Sequence, residues 1–325
     1  MLRLSPCTAS FPETIDEAVA EKVAHGQAAS YVAGGTDLYP NMKRRVQTPA
    51  HVIDIRGIPQ LRRLETLPDG RLAIGSCVTL TELIRQPAVQ EGWPVLSHAA
   101  ALISTPLLQN MGTIGGNLLL DTRCNYYDQG YEWRKAIDFC MKKDGAICWV
   151  APSSPRCWAV QSSDLVPVVV ALDASIRFQG PDGARTARAR DLYLNDGIDF
   201  LAKRPDELLT TVELPSLAGA RASYEKLRRR GSFDFPVLGV AAWARMNGAT
   251  VSEARIVIGA VGSAPLVSDE AAAFLVGQEL SDDTIDQAAR IAARPAKPLD
   301  NTDFTIGWRK DMVPVYLRRA LAALR

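Results

Sequence analysis

The chain has 325 residues and a formal net charge of +1, with 47% hydrophobic and 22% charged residues. That length suits two domains, and the balanced charge offers no general attraction to nucleic acid or to an anionic membrane surface. The aliphatic runs at 165–172 and 256–261 are too short to span a bilayer, so no membrane role is expected. The N-terminal stretch lacks a sustained apolar core before Thr14, does not read as a secretory signal, and points to a cytoplasmic protein.

Thr14 with Glu17 forms a capping-box pattern, and Ile15, Ala18, Val19 and Val23 follow at helical spacing. Ser30–Ala33 and His51–Ile55 read as strands, and 61–67 with 71–75 flank the turn signal Pro68-Asp69-Gly70. Thr79 with Glu82 predicts a second capped helix, and Trp93–Ile103 a further one. The Ser-Leu-Ala-Gly-Ala-Arg stretch at 216–221 marks a domain junction. Beyond it lie apolar strands at 236–246 and 250–261 joined by Asn247-Gly248, a type I′ hairpin signal. Helical patterns occupy 268–276, 281–293 and 308–324. The expected class is α+β: residues 1–216 as one domain, then 217–325 as a small antiparallel sheet with C-terminal helices.

Residues 122–161 break this rhythm. The segment carries seven aromatic residues and four of the six cysteines, spaced Cys124-x15-Cys140-x7-Cys148-x8-Cys157. Cys7 and Cys77 stand alone. In a reducing compartment such clustering points to metal ligation rather than to disulfides. Four thiolates can close a 4Fe–4S site or a tetrahedral zinc site. Zinc usually takes tight CxxC pairs, which are absent here, and His25, His51 and His98 all lie outside the segment. Spacing alone leaves both metals open.

Two glycine loops carry the second chemical signal. Tyr31, Val32, Ala33, Gly34, Gly35, Thr36, Asp37 and Leu38 spell YVAGGTDL, and Gly112–Asn117 spells GTIGGN. Adjacent glycines let successive N–H groups face one concavity, a nest suited to a pyrophosphate. Either loop alone could be a tight turn. No GxGxxG and no Gly-Lys-Ser/Thr accompanies them, so neither a Rossmann nor a Walker site is provided.

The order YVAGGTDL, MGTIGGN, SSDL at 162–165 and YEKLRRR at 224–230 resembles the FAD-binding subunits of the molybdenum hydroxylase family. That family includes carbon monoxide dehydrogenase, xanthine dehydrogenase and aromatic acyl-CoA reductases. The resemblance covers almost the whole chain and implies a two-part FAD-binding domain followed by a smaller α/β domain. It implies that Tyr31–Leu38 together with Thr113, Ile114, Gly115, Gly116 and Asn117 hold the FAD pyrophosphate and neighbouring ribose. Ile103 would line the flavin site and Leu209 make an apolar contact. Asp164 would accept hydrogen bonds from the adenosine half, and Lys226 would lie near the flavin ring, where a cation stabilises reduced flavin. Family members often carry Arg before Asn in the second loop, whereas this chain has Gln109-Asn110.

Asn117 and Asp164 are separated by 46 residues, far more than the family usually places there. The flanking GGNLLLDTRCNYYDQ, FCMKKDG and CW are similar to the 4-hydroxybenzoyl-CoA reductase branch, whose insert holds a 4Fe–4S cluster on cysteines. That resemblance implies reductive dehydroxylation of 4-hydroxybenzoyl-CoA to benzoyl-CoA by an assembled enzyme. Ferredoxin would donate electrons, which pass through 4Fe–4S and FAD to 2Fe–2S clusters and molybdenum. A molybdopterin-binding large subunit and a 2Fe–2S small subunit would complete it, as a dimer of heterotrimers. The alternatives are the flavin subunit of an oxidative molybdenum hydroxylase and a zinc-stabilised scaffold. The insert is expected to be separable, so that removing 122–161 spares FAD binding.

Overall fold

The computed structural model describes residues 2–325. Thr14 opens the helix Ile15–His25 with the expected capping box, its hydroxyl accepting from the Glu17 N–H while Glu17 accepts from the Thr14 N–H. Thr79 and Glu82 do the same for Leu80–Arg85. Thr8–Ser10 and Ala29–Val32 flank His51–Asp54 in a three-stranded parallel sheet.

A five-stranded antiparallel sheet follows, in the order Leu64–Thr66, Leu72–Gly75, Leu208–Leu214, Ser175–Gly180, Gly183–Arg188. The Pro68–Gly70 turn forms as expected, with Gly70 at φ 82° and Leu64 paired with Ile74. Leu61 is not in the strand; it belongs to a 3-10 turn, Pro59–Arg62, that opens on a proline. Proline also divides the helical region near Trp93 into Pro87–Gly92 and Pro94–Ala101. The largest core lies between this sheet and those helices, and includes Leu72, Leu96, Leu165, Phe178 and Val212.

The C-terminal sheet runs in the order Leu266–Val267, Thr250–Gly259, Leu238–Asn247, Ala220–Leu227. Its central strand buries both faces. Val240, Ala242 and Ala244 pack with residues of the helices Asp282–Ala293 and Ile306–Ala322, while Ala241 and Trp243 join the main core. That is why the strand reads as one apolar run instead of an alternation. A bulge at Arg245/Met246 pairs Asn247 with Thr250, so the turn comprises Gly248 and Ala249. Only Gly248 takes positive φ, 61°, and the type I′ turn expected from Asn-Gly does not form.

Arg309, 1% exposed, ties this region together. It donates to the carbonyls of Val237, Ala260 and Leu299 and to the Asn301 side chain. Burial pulls its pKa down to about 10, still charged at neutral pH. Arg309→Leu should destabilise the chain by about 3 kcal/mol or more, because several buried carbonyls lose their donor. A lower midpoint in chemical denaturation checks this, and an unchanged midpoint contradicts it.

Candidate functional site

The two glycine loops come together in space. A Cβ at Gly34 would sit 1.8 Å from the Met111 carbonyl oxygen, so the first loop packs directly on the backbone leading into the second. Gly35 takes φ +68°, and a Cβ there would strike the Tyr39 ring at 2.3 Å. Among the described residues, no protein acceptor takes the backbone N–H groups of Gly34, Gly35, Thr36, Asp37 and Leu38. Half-buried and without a protein acceptor, these are the donors that an anion-binding nest would use.

The second loop differs from the sequence expectation. Its N–H groups serve the protein: Ile114 donates to Val78, Gly115 to Ser76, and Gly116 to the Thr113 hydroxyl. Gly115 is buried, and a Cβ there would meet Ser76 at 2.7 Å. Gly116 is exposed, and a Cβ would find only the Thr113 oxygen, at 3.3 Å. The nest is therefore the first loop alone, and the second is a packed floor with one open face. Asn117 Oδ1 accepts from Ser163 Oγ at 2.6 Å and from the Leu165 N–H, tying that floor to the SSDL segment. Gln109, where an arginine was expected, donates to the carbonyls of Ala101 and Ile103 and fixes the turn beside half-buried Ile103.

Asp164 is not the open acceptor that the sequence suggests. Its two oxygens accept from Tyr224 at 2.8 Å and from Lys226 Nζ at 2.9 Å. Both ionised groups are almost wholly buried, with side-chain exposures of 1% for Lys226 and 4% for Asp164. Lys226 also donates to the Leu102 carbonyl, next to Ile103. Burial pushes the Asp164 pKa up and that of Lys226 down, each opposed by the other's charge. Leu209 is 2% exposed within the main core, so it supports the sheet and does not line an open surface.

All four cysteines of the insert are buried. Cys124, Cys140 and Cys157 share a small apolar cluster with Val46, Tyr127 and Ala159. Cys157 hydrogen-bonds Cys148, which holds the Cys148 thiol below its usual range and pushes Cys157 up. A backbone N–H two residues downstream faces each sulfur: Tyr126 for Cys124, Lys142 for Cys140, Val150 for Cys148, Ala159 for Cys157. Among the described residues, no three His, Cys, Asp or Glu side chains converge closely enough for a single metal ion. Gly197 makes room for one thiol, since a Cβ there would lie 2.6 Å from Cys157 Sγ.

Sequence reasoning missed Arg123, Asp128, Tyr224 and Phe235. Arg123 pairs with Asp37 and, at 3.5 Å, with Asp128, and its guanidinium stacks on Phe235 at 3.9 Å. Tyr224 could have been found, since two residues before Lys226 on a strand is the same face. The Arg123 contacts span the insert, the first loop and the C-terminal part, and no local pattern announces them.

Comparison with known proteins adds to this geometry. Residues 6–217 match the FAD binding domain in molybdopterin dehydrogenase, and residues 222–324 the CO dehydrogenase flavoprotein C-terminal domain. The chain is 30% identical over 312 residues to the carbon monoxide dehydrogenase medium chain of Afipia carboxidovorans, covering 95% of this chain and 93% of that protein. It is 33% identical over 249 residues to the aldehyde oxidoreductase FAD-binding subunit PaoB of Escherichia coli, covering 73% and 76%. A solved carbon monoxide dehydrogenase of Hydrogenophaga pseudoflava superposes with a TM-score of 0.81 at 28% identity, over 99% of this chain and 98% of that one. No helix among the described residues is long and apolar enough to cross a membrane.

Lys226→Met should cost about 3–5 kcal/mol at neutral pH by stranding the Asp164 carboxylate. Asp164 has a raised folded-state pKa, so its ionisation opposes folding as pH rises. The deficit relative to wild type should therefore be larger at pH 8 than at pH 5. Asp164→Asn in the same chain should remove that pH dependence. Unfolding midpoints at the two pH values test this, and a pH-independent deficit in the single variant contradicts it.

Proposed function

The chain belongs to the family of FAD-binding domains in molybdopterin dehydrogenases, and from that premise we propose that it works as the medium, electron-transferring subunit of a molybdenum hydroxylase-type oxidoreductase. The observation that carries the flavin reading is the run of unpaired N–H groups from Gly34 to Leu38. A flavin dinucleotide supplies two phosphates to such a nest and a redox ring beyond it. Tyr31–Leu38 would hold the diphosphate, and Thr113–Asn117 would close the floor below it. Ile103 would line the ring site. Lys226, fixed by Asp164 and the Leu102 carbonyl, would keep a cation beside that site. FAD, when bound, accepts and releases electrons; the chain's own part is to bind it, orient it and exclude water.

The residue span 1–216 is proposed as the FAD-binding domain, with the insert at 122–161, and 217–325 as its C-terminal companion. No molybdopterin motif occurs in this sequence, so a molybdopterin-binding large subunit and a 2Fe–2S small subunit would complete the enzyme, as a dimer of heterotrimers. The relatives named above support an oxidative reaction for the whole assembly.

A second reading rests on the insert. Four buried thiols, each with a backbone N–H aimed at its sulfur, are the ligand set that a 4Fe–4S cluster takes. In that reading the assembly resembles 4-hydroxybenzoyl-CoA reductase. Ferredoxin electrons would enter through the insert and pass by way of FAD to 2Fe–2S and molybdenum on the partner subunits, where two electrons and two protons would convert 4-hydroxybenzoyl-CoA to benzoyl-CoA and water.

Two measurements separate these statements. Gly116→Val should lower flavin content severalfold while leaving the unfolding midpoint near wild type, because the position is exposed and the added Cβ meets only the Thr113 hydroxyl. Full flavin retention in that variant removes the second loop from the site. Anaerobically purified protein should contain iron and acid-labile sulfide, and Cys→Ser at any one of 124, 140, 148 or 157 should deplete both. The same change at Cys7 or Cys77 should not. Stoichiometric zinc without iron would sink the cluster reading and leave the flavin reading untouched.

A further inference from the structure

The base of the cysteine insert also belongs to the flavin site: we infer that Arg123 is a flavin-positioning residue that holds the Asp37 carboxylate away from the diphosphate nest and offsets its charge. The inference deepens the flavin reading above and depends on it.

Asp37 closes the nest loop and stands at the cap position of the helix Leu38–Lys43. A carboxylate in that position ordinarily accepts from nearby backbone N–H groups. Here it makes no such capping bond. One of its oxygens pairs with Arg123, and the other accepts from Asn41 Nδ2 at 2.9 Å. Both are drawn off the loop, and the N–H groups stay open. An untethered Asp37 would compete for those donors as an internal anion.

The charge balance is equally tight. Asp121 and Asp128 both act on Asp37 as like charges, and burial is the main cause that pushes its pKa up. Arg44 reaches Asp128 at 3.8 Å and Lys142 reaches Asp121 at 2.8 Å. Among the described residues, Arg123 is the cation paired directly with Asp37, and Phe235 fixes its plane from the other side. A diphosphate would bring two further negative charges to this place. Without Arg123, it would face at the edge of its own nest a carboxylate that keeps only Arg44, which is not paired with it directly, as counter-charge.

The sequence expectation that the insert can be removed without loss of FAD therefore fails on this reading, because the deletion takes Arg123 with it.

The test is a double-variant cycle on the full chain, reading the FAD dissociation constant by flavin fluorescence quenching on deflavinated protein. Arg123→Gln should weaken FAD about 10- to 100-fold. Asp37→Asn alone should tighten FAD, because it removes a carboxylate from the edge of the nest while Arg123 remains. Combined, Asp37→Asn with Arg123→Gln should return affinity to within about threefold of wild type, because a neutral side chain needs no counter-charge and competes weakly. A purely structural role for Arg123, through Phe235 or the insert, would not be rescued this way. Affinity in the double variant no better than in Arg123→Gln overturns the inference, as does an Arg123→Gln variant that binds like wild type. Failure of wild-type protein to take up FAD overturns the flavin reading itself, a different result.

Discussion

The buried pair of Asp164 and Lys226 is the constraint on which the rest of this structure turns. Asp164 precedes a helix of the first domain and Lys226 lies on a strand of the C-terminal sheet, so the two domains meet across an ion pair sealed from water. Such a pair gives little net stability, because desolvation offsets most of the attraction. What it does is fix relative position. Trp243 and Ala241 reach from the same sheet into the main core, and Tyr224 secures the second carboxylate oxygen. The cation that would sit beside a flavin is thus held by a domain other than the one that carries the nest.

The insert extends the same logic. It is bonded to both of its neighbours rather than projecting from one of them. Asn301 accepts from the Asn125 N–H and donates to the Trp158 carbonyl, which clamps both ends of the insert to the C-terminal region. Lys142, bonded to Asp121, Thr122 and the Gly197 carbonyl, closes it from within. These contacts fix the insert, with its four buried cysteines, against the rest of the chain.

How much of this was legible in the sequence depends on how local each signal was. The capping boxes at Thr14 and Thr79, the turn at Pro68–Gly70 and the C-terminal helices follow from contiguous residues, and they form as read. The strand Thr8–Ser10 gave no signal, because three residues cannot show a period and its pairing with His51–Ile53 is long-range. The Asn247-Gly248 turn was misread because the bulge that shifts it lies upstream in the paired strands. In the site, the glycines were visible as a pattern. Which loop leaves its N–H groups free was not, since that depends on Ser76 and Val78, far away in sequence. Asp164 looked like a ligand acceptor for the same reason: its partners sit 60 and 62 residues downstream.

The unequal use of the two glycine loops has its own physical logic. A nest must leave donors unpaired, and unpaired donors cannot also anchor their loop. The first loop is therefore held by shape, with Gly34 pressed on the Met111 carbonyl and Gly35 wound left-handed against Tyr39. The second is held by hydrogen bonds, and can lend that rigidity because its own N–H groups are already engaged. Glycine serves opposite purposes in the two places: in one it clears space so that backbone can meet a ligand, in the other so that backbone can meet backbone. A carboxylate placed at the edge of the first loop would undo that division by satisfying the free donors from within, unless something held it aside. The pairing of Asp37 with Arg123 and Asn41 is what keeps the donors free.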